Sequence, residues 1–307
     1  MFDLDTFDRE FQSPEWLITA KDICHSHGLT SERRERAGGS DHIVVFIDDE
    51  IVLKIYRPDR NCFERERKAL ESNAERKSKF LFPEIIHAGH FKGFDYLIFT
   101  RLPGEAMSRG QFLELPPRVR TRLVETLASE LSQFHSFDSR EFVCDWKEFV
   151  DDRAETFIAR QIKHGVNSKI INALPAFFDE NLGSVPLSPT VFLHGDVHFG
   201  NLRFGQIDSE WRLLGLFDFA DSRRGFFEYD LIAVGVLMLQ GERELQREFL
   251  LSYGYREKDL DEAMRRRLML MTILYETSDL KRYALRLRPD AVELNLEELE
   301  KAIWSFV

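Results

Sequence analysis

What the chain lacks narrows the field first. Its three cysteines, Cys24, Cys62 and Cys144, are odd in number, far apart and without metal-ligand spacing, which argues against a disulfide scaffold and for reduced thiols. No apolar run reaches the ~18 residues of a membrane span, so no membrane partner is expected. The acidic start M-F-D-L-D-T-F-D has neither the basic end nor the apolar centre of a secretory signal, and the cytoplasm is the expected compartment. An excess of basic residues is missing too: the formal charge is −11, whereas a nucleic-acid binder rests its affinity on basic contacts to phosphates. That balance is compatible with a cationic substrate, although most of it is solvated surface.

A core is there. At 307 residues, with 43% hydrophobic content and 12% aromatics, the chain can build one large domain or two lobes. The chemistry gathers between Thr190 and Asp221. Val191-Phe192-Leu193 is a short apolar run broken by His194-Gly195-Asp196, which puts Asp196 on a loop leaving a strand. Leu202 to Phe204, a turn from Gly205 to Glu210, and Trp211 to Phe217 read as a hairpin, with Asp218 directly after its second strand. A carboxamide and a carboxylate at strand ends, Asn201 and Asp218, suit magnesium, which takes one or two carboxylates plus substrate phosphates. Asp196 is then left to accept a proton from a substrate hydroxyl. A kinase catalytic loop has this layout, an Asp base followed five positions later by a metal-holding Asn and further on by D-F-G. Simpler readings exist for single residues. Asp196 alone is a plausible turn residue and Asn201 a plausible helix cap. His194 and His198, four apart, imitate a zinc helix, but Gly195 and Gly200 disfavour the helix it needs.

H-G-D-V-H-F-G-N followed by D-F-A resembles the loop of the aminoglycoside phosphotransferase and choline kinase-like family, H-G-D-x-x-x-x-N with a later D-F or D-W; features similar to that family recur from about residue 37 to about residue 235. The resemblance implies an α+β, two-lobed, protein-kinase-like fold. Residues 1–102 would form a small N-terminal lobe with an antiparallel sheet, entered through a helical segment over residues 1 to 36, and residues 103–307 a larger, mostly helical lobe.

Other stretches fit the same frame. Gly38-Gly39-Ser40 lies in a turn between strands, where backbone N–H groups can approach phosphates; alone it is an ordinary turn, and it is similar to the family's short glycine loop. Lys54 interrupts the apolar strand I-V-L-K-I-Y, costly without an anionic partner unless the strand is at an edge and the side chain reaches solvent along its stem. In the family such a lysine binds the α- and β-phosphates and pairs with a glutamate on the next helix. Glu66 is chosen for that partner over Glu64 because it stands four residues before Leu70, similar to the family's E-x-x-x-L pattern, although this helix carries many surface charges. Tyr96 to Arg101 runs into Leu102-Pro103-Gly104-Glu105, similar to the family's hinge, where the carbonyl of Thr100 and the amide of Leu102 would face the base. Pro116-Pro117 opens an amphipathic helix whose core stripe includes Leu123, Val124, Leu127, Leu131 and Phe134. Residues 138 to 163 are rich in acids, Asp138 and Glu141 among them, either a solvated face or a wall for a cationic substrate. G-F-F-E-Y-D-L resembles the family's G-D-P-x-Y-D-L, with Asp230 at the aspartate that braces the catalytic loop and with Phe226 departing from the pattern. Glu276 and Asp279 are candidate cleft residues, each equally a surface charge.

Taken together, the residues and the resemblance imply an Mg2+-dependent small-molecule kinase. ATP or GTP would be the donor, and the acceptor a hydroxyl on a small polar molecule of aminoglycoside-like type. Gly195 replaces the Arg of H-R-D and no A-P-E follows, which disfavours a protein acceptor. A kinase of another metabolite, sugar or amino alcohol, and a catalytically silent nucleotide-binding module are the alternatives.

Overall fold

The structure is a computed structural model that describes residues 4–30, 33–58, 61–74, 78–137 and 142–307. Its Cα positions divide into two compact units: Met1–Glu105 with Leu214–Ser222, and Ala106–Leu213 with Arg223–Val307. It is an α+β, kinase-like fold, and no helix among the described residues is long and apolar enough to cross a membrane. Cys24 and Cys62 are buried, and Cys144 is exposed.

The first unit opens with α1 (Leu4–Glu10) and α2 (Glu15–Ser26), followed by strands β1 (Arg34–Arg36), β2 (Ile43–Ile47) and β3 (Ile51–Ile55). Helix α3 (Cys62–Asn73) and the hairpin β4 (Ile85–Phe91) and β5 (Phe94–Thr100) complete it. The five strands are antiparallel in the order β1-β2-β3-β5-β4. Alternation along them does the sorting. Ile43, Val45, Ile47, Leu53, Ile55, Tyr96 and Ile98 share a buried cluster with Trp16, Ala20, Ile23 and Cys24 of α2. The residues between them belong to the opposite face, and Lys54 is one of these, paired with Val44 on one side and Leu97 on the other. β3 is therefore an interior strand, and the edge-strand reading of Lys54 fails. The N-terminal segment is not wholly helical either: Arg34–Arg36 forms the edge strand β1, whose three polar residues carry no apolar alternation by which to recognise it.

Leu214–Leu216 returns to this first unit, where Leu81 N–H donates to the Leu214 carbonyl at 2.9 Å and Leu216 N–H to the Leu81 carbonyl at 3.1 Å. This approach needs glycine between them, since a Cβ on Gly215 would lie 2.5 Å from the Leu81 carbonyl oxygen. The pairing fixes the backbone that leads into Asp218.

The second unit begins with α4 (Arg109–Glu114), α5 (Pro117–His135), α6 (Trp146–Lys163) and α7 (Ser168–Asn181). In α5 a proline at the start and buried Leu123, Val124, Leu127, Leu131 and Phe134 give the expected helix and stripe. Asp138 and Glu141 lie outside the described residues. Next come β6 (Val191–Leu193), β7 (Leu202–Ile207) and β8 (Glu210–Leu216), the last passing along the chain into the first unit. The β7–β8 turn is tighter than the composition suggests, because Asp208 and Ser209 both take positive φ, 52° and 63°, and close a two-residue connection. After β9 (Arg223–Gly225), which pairs with β6, follow α8 (Glu228–Ala233), α9 (Arg243–Tyr253), α10 (Glu262–Leu274), α11 (Leu280–Leu287) and α12 (Leu296–Ile303). The apolar run after Leu231 is buried helix, as its composition implies, but from Val234 to Met238 it widens into a π turn. There a Cβ on Gly235 would lie 2.0 Å from the Trp304 ring.

Candidate active site

In the first unit one cation organises two carboxylates. Lys54 Nζ donates to Glu66 Oε2 at 2.6 Å and to Asp218 Oδ1 at 2.7 Å. Lys54 and Glu66 are almost wholly buried, 3% and 1% exposed, where an isolated charge of either sign would be expelled. Burial alone would depress the Lys54 ammonium, but Asp218 and Glu66 outweigh it and hold it above its ordinary range. Glu66 is fully used: Tyr56 Oη–H donates to Oε2 at 2.7 Å and the Phe219 N–H to Oε1 at 3.1 Å. Burial first, then the Glu66 carboxylate and Asp218, push the Tyr56 phenol well up. Glu64 instead pairs with Arg67 on the surface at 2.8 Å. Asp218 adopts φ 67°, which few non-glycine residues tolerate, while Phe219 beside it is fully buried against Phe82.

The remaining first-unit candidates lie on connections. Gly38, Gly39 and Ser40 join β1 to β2; Gly39 has φ 80°, and a Cβ on either glycine would meet nothing within 4 Å, so the backbone there is open to an approaching group. Ser40 Oγ accepts from the His42 N–H at 3.1 Å, curling the loop. Thr100 ends β5, its Oγ1 accepting from the Glu84 N–H at 2.9 Å, and Leu102 is buried just beyond.

The second unit holds Asp196 by neutral donors. Tyr275 Oη–H donates to Oδ1 at 2.9 Å, His198 Nε2 to Oδ2 at 3.1 Å, and Asn201 Nδ2 to Oδ2 at 3.3 Å and to the Asp196 carbonyl at 2.9 Å. His198 Nδ1 accepts from the Gly200 N–H at 2.9 Å, so its proton sits on Nε2 and points at the carboxylate. Burial works to raise the Asp196 carboxyl, but the bond and field of His198, then Tyr275 and His194, hold it below its ordinary value. Beneath the loop Asp230 is fully buried and accepts from the His194 N–H at 2.8 Å, the Gly195 N–H at 2.7 Å and His135 Nε2 at 2.9 Å. Gly195 has φ 92°, which explains a glycine between the two residues that matter. Asp196 and His198 open onto a cavity of about 480 Å³ that Phe199 and Leu237 wall with apolar surface. Tyr275 carries no local signal for its contact, lying 79 residues from Asp196. His198 does sit inside the H-G-D loop, but its spacing suggested zinc rather than a hydrogen bond to Asp196.

Two expected cleft acids are occupied elsewhere. Glu276 accepts from Arg223 at 2.7 Å, and Asp279 caps α11 through the Arg282 N–H at 2.9 Å. Two acids of α6 make local pairs, Asp151 with Lys147 and Asp152 with Arg153, and no acid of that helix lines the cavity.

Residues 32–269 match the family model described as the phosphotransferase enzyme family. The chain belongs to that family. Solved structures of similar fold include the GDP complex of wild-type aminoglycoside 2'-phosphotransferase-IIIa, at 15% identity and TM-score 0.72, covering 96% of this chain and 100% of that one. The streptomycin–ATP–APH(2")-IIa ternary complex matches at 17% identity and TM-score 0.62, over 86% and 92% of the two chains. The macrolide 2'-phosphotransferase MphH from Brachybacterium faecium matches at 18% and 0.59, over 93% and 97%. No curated protein sequence matches significantly.

For a phosphotransferase, the metal question turns on donor chemistry. Among the described residues no group of three or more His, Cys, Asp or Glu could cage a metal ion. Magnesium needs no such cage, since substrate phosphates and water complete its shell. Asn201 spends its N–H donors on Asp196, which leaves the carboxamide oxygen as the atom able to face a cation. Asp218 keeps 36% of its side-chain surface exposed while Lys54 holds one oxygen. Both residues fit a hard, oxygen-seeking ion.

Proposed function

We propose that this phosphotransferase moves the terminal phosphate of ATP or GTP to a hydroxyl of a small polar molecule. The observation that carries the reading is Asp196: a half-buried carboxylate kept ionised by three neutral donors and opening onto a cavity of about 480 Å³. A carboxyl held below its ordinary pKa is a weak base, so Asp196 orients the acceptor hydroxyl and takes its proton late, as the new P–O bond forms. Lys54 has three N–H donors and spends two on Glu66 and Asp218, which leaves one for a nucleotide phosphate. The Gly38, Gly39 and Ser40 backbone would approach the same phosphates, and the Thr100 carbonyl and Leu102 amide would face the base. Asn201 and Asp218 would hold Mg2+, which when bound neutralises charge on the phosphate oxygens. Catalysis is then positioning and charge stabilisation, with no covalent enzyme intermediate.

The structures named above, aminoglycoside and macrolide phosphotransferases, support an aminoglycoside-like acceptor. A second reading, another metabolite altogether, is favoured by one observation: three arginines line the cavity onto which Asp196 opens. The test is magnesium-dependent phosphate transfer from ATP and GTP across aminoglycosides, sugars and amino alcohols, with Asp196→Ala beside the parent. Turnover should fall about 10²- to 10⁴-fold in the variant while nucleotide binding stays intact. Absence of nucleotide binding in the parent would sink the reading.

A further inference from the structure

The cavity beside Asp196 has the opposite charge from the chain. Arg109, Arg282 and Arg286 line it, and among the described residues Asp196 is the only acid in the lining, so these carry three positive charges against one negative in a protein of formal charge −11. Arg282 and Arg286 stand one turn apart on the same face of α11. Both side chains are exposed, and neither guanidinium makes a hydrogen bond or ion pair among the described residues; the backbone N–H of Arg282 donates to Asp279 Oδ1 at 2.9 Å. Asp279, Glu276 and Glu242 have other partners. Asp279 caps the helix and lies 3.5 Å from His164, Glu276 serves Arg223, and Glu242 holds Arg109 at 3.2 Å. Arg109 is further fixed by the carbonyls of Met238 and Gln240, at 3.2 and 3.0 Å. Burial chiefly, and then Arg282 and Arg109, press the Arg286 guanidinium below its ordinary value, with Tyr283 opposing them.

Like charges at this spacing on a helix destabilise it. An unpaired pair facing a cavity is instead the arrangement that binds an anion, because the planar guanidinium fork matches carboxylate or phosphate oxygens two at a time. A polycation would meet the same charges as repulsion.

We infer that the acceptor is itself an anion, a small hydroxyl compound whose carboxylate or phosphate group is gripped by Arg282 and Arg286 while its hydroxyl reaches Asp196. This rests on the reading of Asp196 as the acceptor base. Phe199 and Leu237 provide an apolar wall for the carbon skeleton, and Thr277 a hydroxyl beside it. In the transfer, the acceptor oxygen forms a bond to the terminal phosphorus as the bond from that phosphorus to the bridging oxygen of the nucleoside triphosphate breaks. The hydroxyl proton passes to Asp196, and the nucleoside diphosphate leaves. The product is a phosphate ester that keeps its original anionic group.

The experiment compares matched acceptors with the full-length protein, Mg2+ and ATP or GTP: gluconate against glucose, glycerol 3-phosphate against glycerol, and kanamycin as the polycation. The anionic member should exceed its neutral partner at least tenfold in kcat/KM. The double variant Arg282→Gln, Arg286→Gln should raise the acceptor KM at least tenfold with nucleotide KM and Tm unmoved. Because these acceptors are probes, calorimetric titration with citrate and with inorganic phosphate, at saturating non-hydrolysable nucleotide, gives a second readout. Saturable binding by the parent that disappears in the double variant supports the inference even where no probe is phosphorylated. Equal or better turnover of kanamycin or the neutral compounds overturns it. So does equal anion binding by parent and variant, or a rise in nucleotide KM alone, which would place the arginines on the donor phosphates. Anion binding lost in the arginine variant, beside a phosphate transfer that Asp196→Ala leaves unchanged, would remove Asp196 from the chemistry and keep the anion site.

Discussion

Lys54 and Asp196 are each the centre of a polar cluster, and the two clusters are built on opposite principles. Around Lys54 charge is closed by pairing: one ammonium bonds two carboxylates, and the buried one, Glu66, also takes a phenol and a backbone N–H, while Asp218 keeps a side open to solvent. Around Asp196 charge is open: the carboxylate is held by Tyr275, His198 and Asn201, while two guanidiniums of its cavity pair with no anion among the described residues. A closed cluster keeps its geometry without a ligand and depends on every member for stability. An open one contributes less to folding and keeps its charge for whatever binds. Function in this protein therefore divides between a part that is preassembled and a part that awaits its partner.

The comparison is broken most directly at Lys54. Lys54→Met leaves Glu66 buried with its cation gone, a change that costs about 3 kcal/mol, at the low end for a broken buried pair because Tyr56 and the Phe219 N–H still serve the carboxylate. Turnover should fall about 100-fold or more with the loss of a phosphate-facing cation. Urea denaturation read beside kcat checks both. A variant with parent stability would show that the cluster is not closed.

Asp230→Ala comes next. The fully buried carboxylate accepts from two loop N–H groups and from His135, and its removal orphans donors at about 1–3 kcal/mol each, so about 3 kcal/mol is expected in all. Amide hydrogen exchange at His194 and Gly195 should speed up with it. Unchanged protection at those two amides would mean that β6 rather than Asp230 holds the loop.

How far the sequence reveals these clusters follows from the same division. Asp196, Asn201 and Asp218 stand out because one short stretch carries them at a spacing that chemistry demands. Lys54 stands out because a lysine inside I-V-L-K-I-Y conflicts with its neighbours. Glu66 was harder: Glu64 shares its helix and its charge, and only burial separates them, 1% exposure against a surface pair with Arg67. The sheet and the long helices were legible from period 2 and period 3.6, whereas β1, three polar residues long, and the π turn at Val234–Met238 have no periodic mark. Least legible was the cavity. Its lining is drawn from α4, the H-G-D loop, the π turn and the region around α11, and nothing in those separate stretches says that Arg109, Arg282 and Arg286 meet. The net acidity of the chain, compatible with a cationic substrate, is a sum over the surface and does not reveal a local excess of the other sign.

Tyr275→Phe separates positioning from chemistry at the open cluster. The phenol touches Asp196 Oδ1 and, at 3.0 Å, the Gly195 carbonyl, and its loss removes one hydrogen bond to a charged group without opening a cavity. We expect about a tenfold fall in kcat, with acceptor KM and Tm nearly unmoved. A fall in Tm instead would make Tyr275 part of a closed cluster like that of Lys54.

The smallest effect belongs to Glu64, and it is informative because Glu66 lies two residues away. Glu64→Gln removes one surface partner of Arg67, which keeps Glu71 at 2.9 Å, so the change should cost less than about 0.5 kcal/mol and leave kcat/KM within error. Glu66→Gln, by contrast, leaves Lys54 with Asp218 alone and should lower both stability and turnover. The two variants differ by no atoms and by little in helix propensity, so any gap between them measures what burial adds to a charge pair. Equal effects would mean that the Lys54–Glu66 contact contributes no more than a solvated one, and the distinction between closed and open clusters would lose its basis.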